Sequence, residues 1–247
     1  MTNYAKAIVA LDVGTSGEAV ALASRLSGDC YFFKVGSALF TAAGPNIVRE
    51  LRDRFGADVF LDLKFHDIPT TVAGSVRSAV ALGARLLTVH AAGGRAMLDA
   101  AQDAVQSAAA PGCGILGVTV LTSLDDASLA LSWGRRDALE VRQEVVRLAG
   151  ECAEAGLHGV VCGGSEAEDV YSAYGDDLAI LVPGIRLAGG AMHDQRRVIT
   201  PHGAQRAGAS YVVLGRAVTA APDPRAAFRS VLIDLAKDTV DGMPAVG

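Results

Sequence analysis

Residues 59–69 read VFLDLKFHDIP. Over 59–65 the pattern has the two-residue period of a β-strand, so Asp62 and Lys64 fall on one face and Leu61, Leu63 and Phe65 on the other. Asp67 lies past the strand end, just before Pro69, which suits the first turn of a helix. A helix-compatible stretch, TVAGSVRSAVALG (71–83), then leads to a second β-branched run, LLTVHA (86–91). Strand, helix and strand in that order argue for a parallel sheet covered by helices.

The same alternation extends in both directions. Further strands are expected at AIVALDV (7–13), CYFFKVG (30–36), GILGVTV (114–120), GVVCG (159–163), AILVPG (179–184) and YVVLGR (211–216). Helix-compatible stretches include GPNIVRELRDRFG (44–56), GRAMLDAAQDAVQSAA (94–109) and DALEVRQEVVRLAGECAEAG (137–156), with Gly and Pro at most joins. Eight strand–helix units in 247 residues fit an α/β fold of the (β/α)8 TIM-barrel type in a single domain. The competitor is a doubly wound open sheet, but its first strand–helix turn, LDVGTSGEAV, carries no G-x-G-x-x-G fingerprint. The barrel is expected over 1–237, with 238–247 as a frayed tail.

Composition narrows the function. A net charge of −5, with no cluster of Lys or Arg, offers no footprint for nucleic acid. No apolar run approaches the roughly 18–20 residues that span a bilayer. The N-terminus lacks the layout of a signal peptide, and a cytoplasmic location is expected. Cys30, Cys113, Cys152 and Cys162 are scattered without metal-ligand spacing and read as reduced structural thiols.

The only lysines are Lys6, Lys34, Lys64 and Lys237. Two of the four, Lys34 and Lys64, sit inside apolar strands, where an unpaired charge is expensive. Active sites of such barrels lie at the C-terminal ends of the strands. There the sequence places Asp12, Lys34, Asp62 with Lys64, His90, Thr119 with Thr122, Arg186, and Gly215 with Arg216. A structural ion-pair network is the plain alternative for Asp62 and Lys64; the second buried lysine and the strand-end position weigh against it. An ammonium held between carboxylates keeps its charge and can deliver a proton to a carbanion.

Arg186 in PGIR and Arg216 in LGRAV end the seventh and eighth strands, where such barrels often bind phosphate, and the Gly215 backbone would allow close approach. The loop between them, LAGGAMHDQRR, could close over a ligand. By alternation His66 shares the face of Asp62 and Lys64 if the strand runs that far, and a structural role is expected for it. His90 would line the floor of the site, and His158, His193 and His202 show no metal-ligand spacing.

FLDLKFHDIP, with ALDV, FKVG, VTVLTS, VPGIR, DQRR and LGRAVT in order from about residue 7 to about 230, resembles the orotidine 5′-phosphate decarboxylase family. The resemblance implies cofactor-free, metal-free conversion of orotidine 5′-monophosphate to uridine 5′-monophosphate in pyrimidine nucleotide synthesis. It implies Lys64 as proton donor to C6, Asp62 beside the departing carboxylate, and Lys34 bridging the carboxylates and the ribose. Asp67 would come from the other subunit of a homodimer with shared sites. Asp12 matches the ribose contact, Thr122 the pyrimidine contact and Gln195 the loop glutamine that reaches phosphate and base; Thr71 joins the substrate-binding set.

Two other readings share these residues. A metal-dependent relative, such as a hexulose-phosphate synthase or a keto-gulonate-phosphate decarboxylase, would use D-x-K-x-x-D around a magnesium-bound enediolate. A non-catalytic barrel that senses uridine phosphates is the second, although binding alone does not require a buried lysine aimed at C6.

Overall fold

Eight strands form where β-branched and apolar residues alternate: β1 Lys6–Ala10, β2 Phe32–Gly36, β3 Asp58–Phe65, β4 Leu86–His90, β5 Gly114–Val118, β6 Gly159–Val161, β7 Ala179–Val182 and β8 Tyr211–Leu214. A computed structural model describes residues 4–108, 112–135, 137, 139–187 and 199–237. All strand pairs are parallel, and β1 pairs with β8 as well as β2, so the sheet closes into a barrel and the open-sheet alternative is excluded.

The two faces of the strands build two cores. Ile8, Ala10, Phe32, Phe60, Leu86, Leu116, Leu181 and Val213 fill the barrel interior. Their neighbours in sequence, among them Val9, Phe33, Leu61, Leu87, Ile115, Ile180 and Val212, pack outward against the helices. Each large apolar side chain so buried contributes about 1.5–3 kcal/mol. Two residues beyond each interior residue lies the next inward position. Phe32 leads to Lys34, Phe60 to Asp62, Leu86 to Thr88, Ala10 to Asp12 and Val213 to Gly215. The packed floor therefore gives way to polar side chains at the C-terminal end, simply by continuing the alternation.

β2 and β3 end where their runs end, at Gly36 and Phe65, while the other six strands stop one to three residues short on the C-terminal side; the run expected to 163 ends at Val161 and that expected to 184 ends at Val182. The expected helices appear as Asn46–Phe55, Pro69–Ala81, Arg95–Gln106 and Val141–Glu154. The last starts later than its pattern because Asp126 Oδ1 accepts the Val141 N–H at 2.8 Å, fixing the entry point. Local signals set other helix starts: Thr15 caps Ser16–Leu26 by accepting the Glu18 N–H while Glu18 Oε2 accepts the Thr15 hydroxyl and the Gly14 N–H, and Asp223 caps Pro224–Leu235. Among the described residues no helix is long and apolar enough to cross a membrane. Residues 238–247 lie outside the described residues.

Candidate active site

A cavity of about 390 Å³ opens at the C-terminal end of the barrel. Asp12, Lys34, Asp62 and Lys64, from the ends of β1, β2 and β3, line it together with Arg186, Gly215 and Arg216, which follow β7 and β8, and with Thr122. Phe60, Val118, Val161 and Val213 supply apolar surface between them. The strand-end residues thus converge on one cavity, with two lysines from β2 and β3 and two arginines from the ends of β7 and β8 as its cations.

The charged side is a chain of contacts. Lys64 Nζ lies 2.8 Å from Asp62 Oδ1, Lys34 Nζ 3.6 Å from Asp62 Oδ2, and Lys34 Nζ 2.9 Å from Asp12 Oδ1. Two ammonium groups and two carboxylates compensate one another, which is what makes their removal from water tolerable. Burial is uneven: the Lys34 and Asp62 side chains are 11% and 13% exposed, while Lys64 is 34% exposed and reaches the open cavity. Gly36 leaves the room for this packing, since a Cβ there would stand 3.0 Å from Lys34 Nζ and 3.3 Å from Asp12 Oδ1.

Simple alternation does not survive at Lys64. Leu61 pairs with Leu87 and Phe65 with Val89, so three residues of β3 face a single residue, Thr88, of β4. The bulge puts Lys64 at φ 52°, the only described non-glycine residue with positive φ. That region is unfavourable for residues with a Cβ, by roughly 1–3 kcal/mol. The strand bends, yet the Lys64 ammonium still returns to Asp62. Thr88, which nothing in the sequence distinguishes from an ordinary β-branched strand residue, is fully buried and hydrogen-bonds both Lys64 and Asp62.

At the other end, Arg186 donates from Nη1 to the Ile185 carbonyl at 3.1 Å. Its Nε is buried and finds no acceptor among the described residues, so it has a hydrogen-bond donor to offer to an anion. Thr119, expected near the site, instead donates its hydroxyl to the Val161 carbonyl at 2.8 Å and does not line the cavity.

Asp67 and Thr71 do not line this cavity either. Both are exposed. The helix begins at Pro69, as expected, with Ile68 as its cap, so Asp67 lies between strand and helix, and its Oδ1 accepts the Ile68 N–H at 2.7 Å. β3 ends at Phe65, so His66 does not share the strand face of Asp62 and Lys64. His66 stacks instead on His90, with ring centroids 5.3 Å apart. His90 is not on the cavity floor; burial, then the charges of His66 and Lys64, push its imidazole below the usual range. Gln195, Met192, His193, Arg196 and Arg197 lie outside the described residues.

All four cysteines are free thiols. Burial raises Cys30 and Cys113 to about 11 and Cys152 to about 12, so these thiols are poor nucleophiles. Among the described residues, no group of three or more His, Cys, Asp or Glu is placed to hold a metal ion.

Comparison with known proteins agrees with this geometry. Residues 5–231 match the family described as Orotidine 5′-phosphate decarboxylase / HUMPS family. An orotidine 5′-phosphate decarboxylase of Moorella thermoacetica is 50% identical over 234 residues, 93% of this chain and 92% of the relative. That of Actinobacillus succinogenes is 43% identical over 231 residues, 94% and 98% of the two chains. The crystal structure of orotidine 5′-phosphate decarboxylase from Lactobacillus acidophilus superposes with a TM-score of 0.82 at 34% identity, covering 94% of this chain and 99% of that one. The chain belongs to the orotidine 5′-phosphate decarboxylase / HUMPS family.

Proposed function

We propose that this chain decarboxylates orotidine 5′-monophosphate to uridine 5′-monophosphate and CO2, without cofactor or metal, and that Lys64 protonates C6 of the pyrimidine. The reaction rests on the family and on relatives that carry that name over nearly their whole length. The residue roles rest on one observation above all: the Lys64 ammonium, held 2.8 Å from Asp62, reaches into the same cavity that Arg186 and Arg216 line.

Loss of CO2 leaves an electron pair in an sp2 orbital at C6. An ammonium already fixed beside that carbon stabilises the charge as it develops and then transfers a proton to it. Asp62 orients Lys64 and stands where the departing carboxylate would be. Lys34, shared between Asp12 and Asp62, carries the line of charge towards the ribose. Thr122 takes the pyrimidine edge, and Arg186, Arg216 and the Gly215 backbone take the phosphate. Gln195 completes the phosphate and base contacts from its loop.

Asp67 and Thr71 are exposed beside the helix start and away from their own cavity, which supports a homodimer in which they complete the neighbouring subunit's site. A cytoplasmic location belongs to the same reading, and the four free thiols support it.

The test is the ultraviolet absorbance of orotidine 5′-monophosphate mixed with purified protein and excess EDTA. Loss of substrate absorbance matched by stoichiometric uridine 5′-monophosphate is expected. Turnover that appears only after magnesium is restored would overturn the metal-free part; no turnover in either condition would overturn the reaction.

A further inference from the structure

We propose that Thr88 is a positioning residue for Lys64, acting on both ends of that side chain through one hydroxyl group; this rests on the reading of Lys64 as the proton donor. The Thr88 hydroxyl accepts the Lys64 backbone N–H at 2.9 Å and donates to Asp62 Oδ1 at 3.0 Å. Asp62 Oδ1 in turn accepts from Lys64 Nζ at 2.8 Å. The three bonds make a closed circuit: Lys64 main chain, Thr88 hydroxyl, Asp62 carboxylate, Lys64 ammonium.

The circuit sits where the sheet needs it. Along β3 the main-chain bonds alternate between neighbours, Asp58 donating to Tyr31 beside β2 and Val59 accepting from Arg85 beside β4, so a regular ladder would aim the Lys64 N–H at β2; within the bulge, where residues 62–64 all face Thr88 alone, it is aimed at β4 instead. Lys64 at φ 52° also departs from the strand geometry that would make such a bond. A side-chain oxygen from the one residue inside the bulge takes over as acceptor. A hydroxyl suits this place because it can accept from an amide and donate to a carboxylate at once; an ammonium could not accept and a carboxylate could not donate. Burial makes the bonds stronger and leaves no water to substitute for them, because Thr88 is fully enclosed.

Thr88 does not line the cavity. Any effect on turnover must therefore pass through Lys64 and Asp62. A displacement of the ammonium by as little as 1 Å is enough to lower turnover on the order of 100-fold.

The experiment compares Thr88→Val, nearly the same shape without the hydroxyl, with Thr88→Ser, which keeps it. For Thr88→Val we expect kcat to fall roughly 10- to 100-fold while the Kd for uridine 5′-monophosphate moves by less than about threefold. Thr88→Ser should restore kcat to within about threefold of wild type. A packing role alone would lower the thermal midpoint of both variants and leave kcat of the folded fraction unchanged, and that result would overturn the proposal. So would a Thr88→Ser protein as slow as Thr88→Val. If Thr88→Val does not fold, Thr88→Ala is read the same way: slow beside an active Thr88→Ser supports the proposal, wild-type turnover overturns it. Lys64→Ala, measured in parallel, separates the two levels. An active Lys64→Ala would remove the proton-donor reading and this proposal with it; an inactive one beside a fully active Thr88→Val would remove this proposal alone.

Discussion

Lys34 on β2 and Asp62 on β3 meet across the strand boundary, with Lys34 Nζ 3.6 Å from Asp62 Oδ2. They are not register partners: Lys34 lies opposite Phe60, and Asp62 opposite Gly36. The ammonium therefore leans along the strand towards the barrel mouth, over the one position on β2 that has no side chain. There it also meets Asp12 at 2.9 Å.

Gly36→Ala should disturb this pair without disturbing the barrel. Its Cβ would crowd the mobile end of Lys34 rather than backbone, and Gly36 has φ −90°, which alanine adopts freely. We expect kcat/KM to fall about tenfold with little change in thermal midpoint. Unchanged kcat/KM would show that the position of Lys34 is not critical.

Arg186→Ala tests the phosphate end. Its buried Nε has no acceptor among the described residues, and the protein hydrogen bond that its guanidinium makes there is to the neighbouring Ile185 carbonyl. A charge-assisted hydrogen bond contributes about 1.5–3 kcal/mol, so affinity for uridine 5′-monophosphate should fall roughly 10- to 100-fold. Affinity for uridine, which lacks the phosphate, should not change. Equal weakening of both, measured by calorimetry, would place Arg186 elsewhere on the ligand.

How much of this was legible beforehand depends on how local each signal is. Strand existence and order were, because alternating β-branched runs separated by Gly and Pro specify strands over a few residues. The inward direction of Lys34 and Asp62 followed from the same alternation. Strand ends were not: the runs ending in Gly163 and Gly184 remain apolar past the last ladder bond because their final residues continue into the loops at the barrel mouth. The bulge at Lys64 was hidden, since Leu-Asp-Leu-Lys-Phe is equally compatible with a regular strand and with one that gains two residues against Thr88. Thr88 itself was invisible for the same reason, as its role depends on what β3 does opposite it. His66 and His90 pair through space across two strand ends, a contact that no spacing encodes.

The exposed position of Asp67 leads to a mixing experiment. Lys64→Ala and Asp67→Ala proteins, each inactive alone, should regain activity on subunit exchange, because half of the mixed dimers' sites contain neither change. Restoration towards about a quarter of wild-type activity is expected from random pairing if each site takes Asp67 from its neighbour. Demonstrated exchange with no recovery would rule out that shared arrangement.

The most direct measurement is single-turnover decarboxylation by Lys64→Ala beside its affinity for uridine 5′-monophosphate. Turnover should fall by several orders of magnitude, on the scale seen when groups acting as one catalytic unit are removed. Nucleotide binding should persist, because Arg186, Arg216 and Thr122 remain on the cavity wall. Turnover within about tenfold of wild type would contradict the account, because positioned acid catalysis alone supplies on the order of 100- to 10,000-fold.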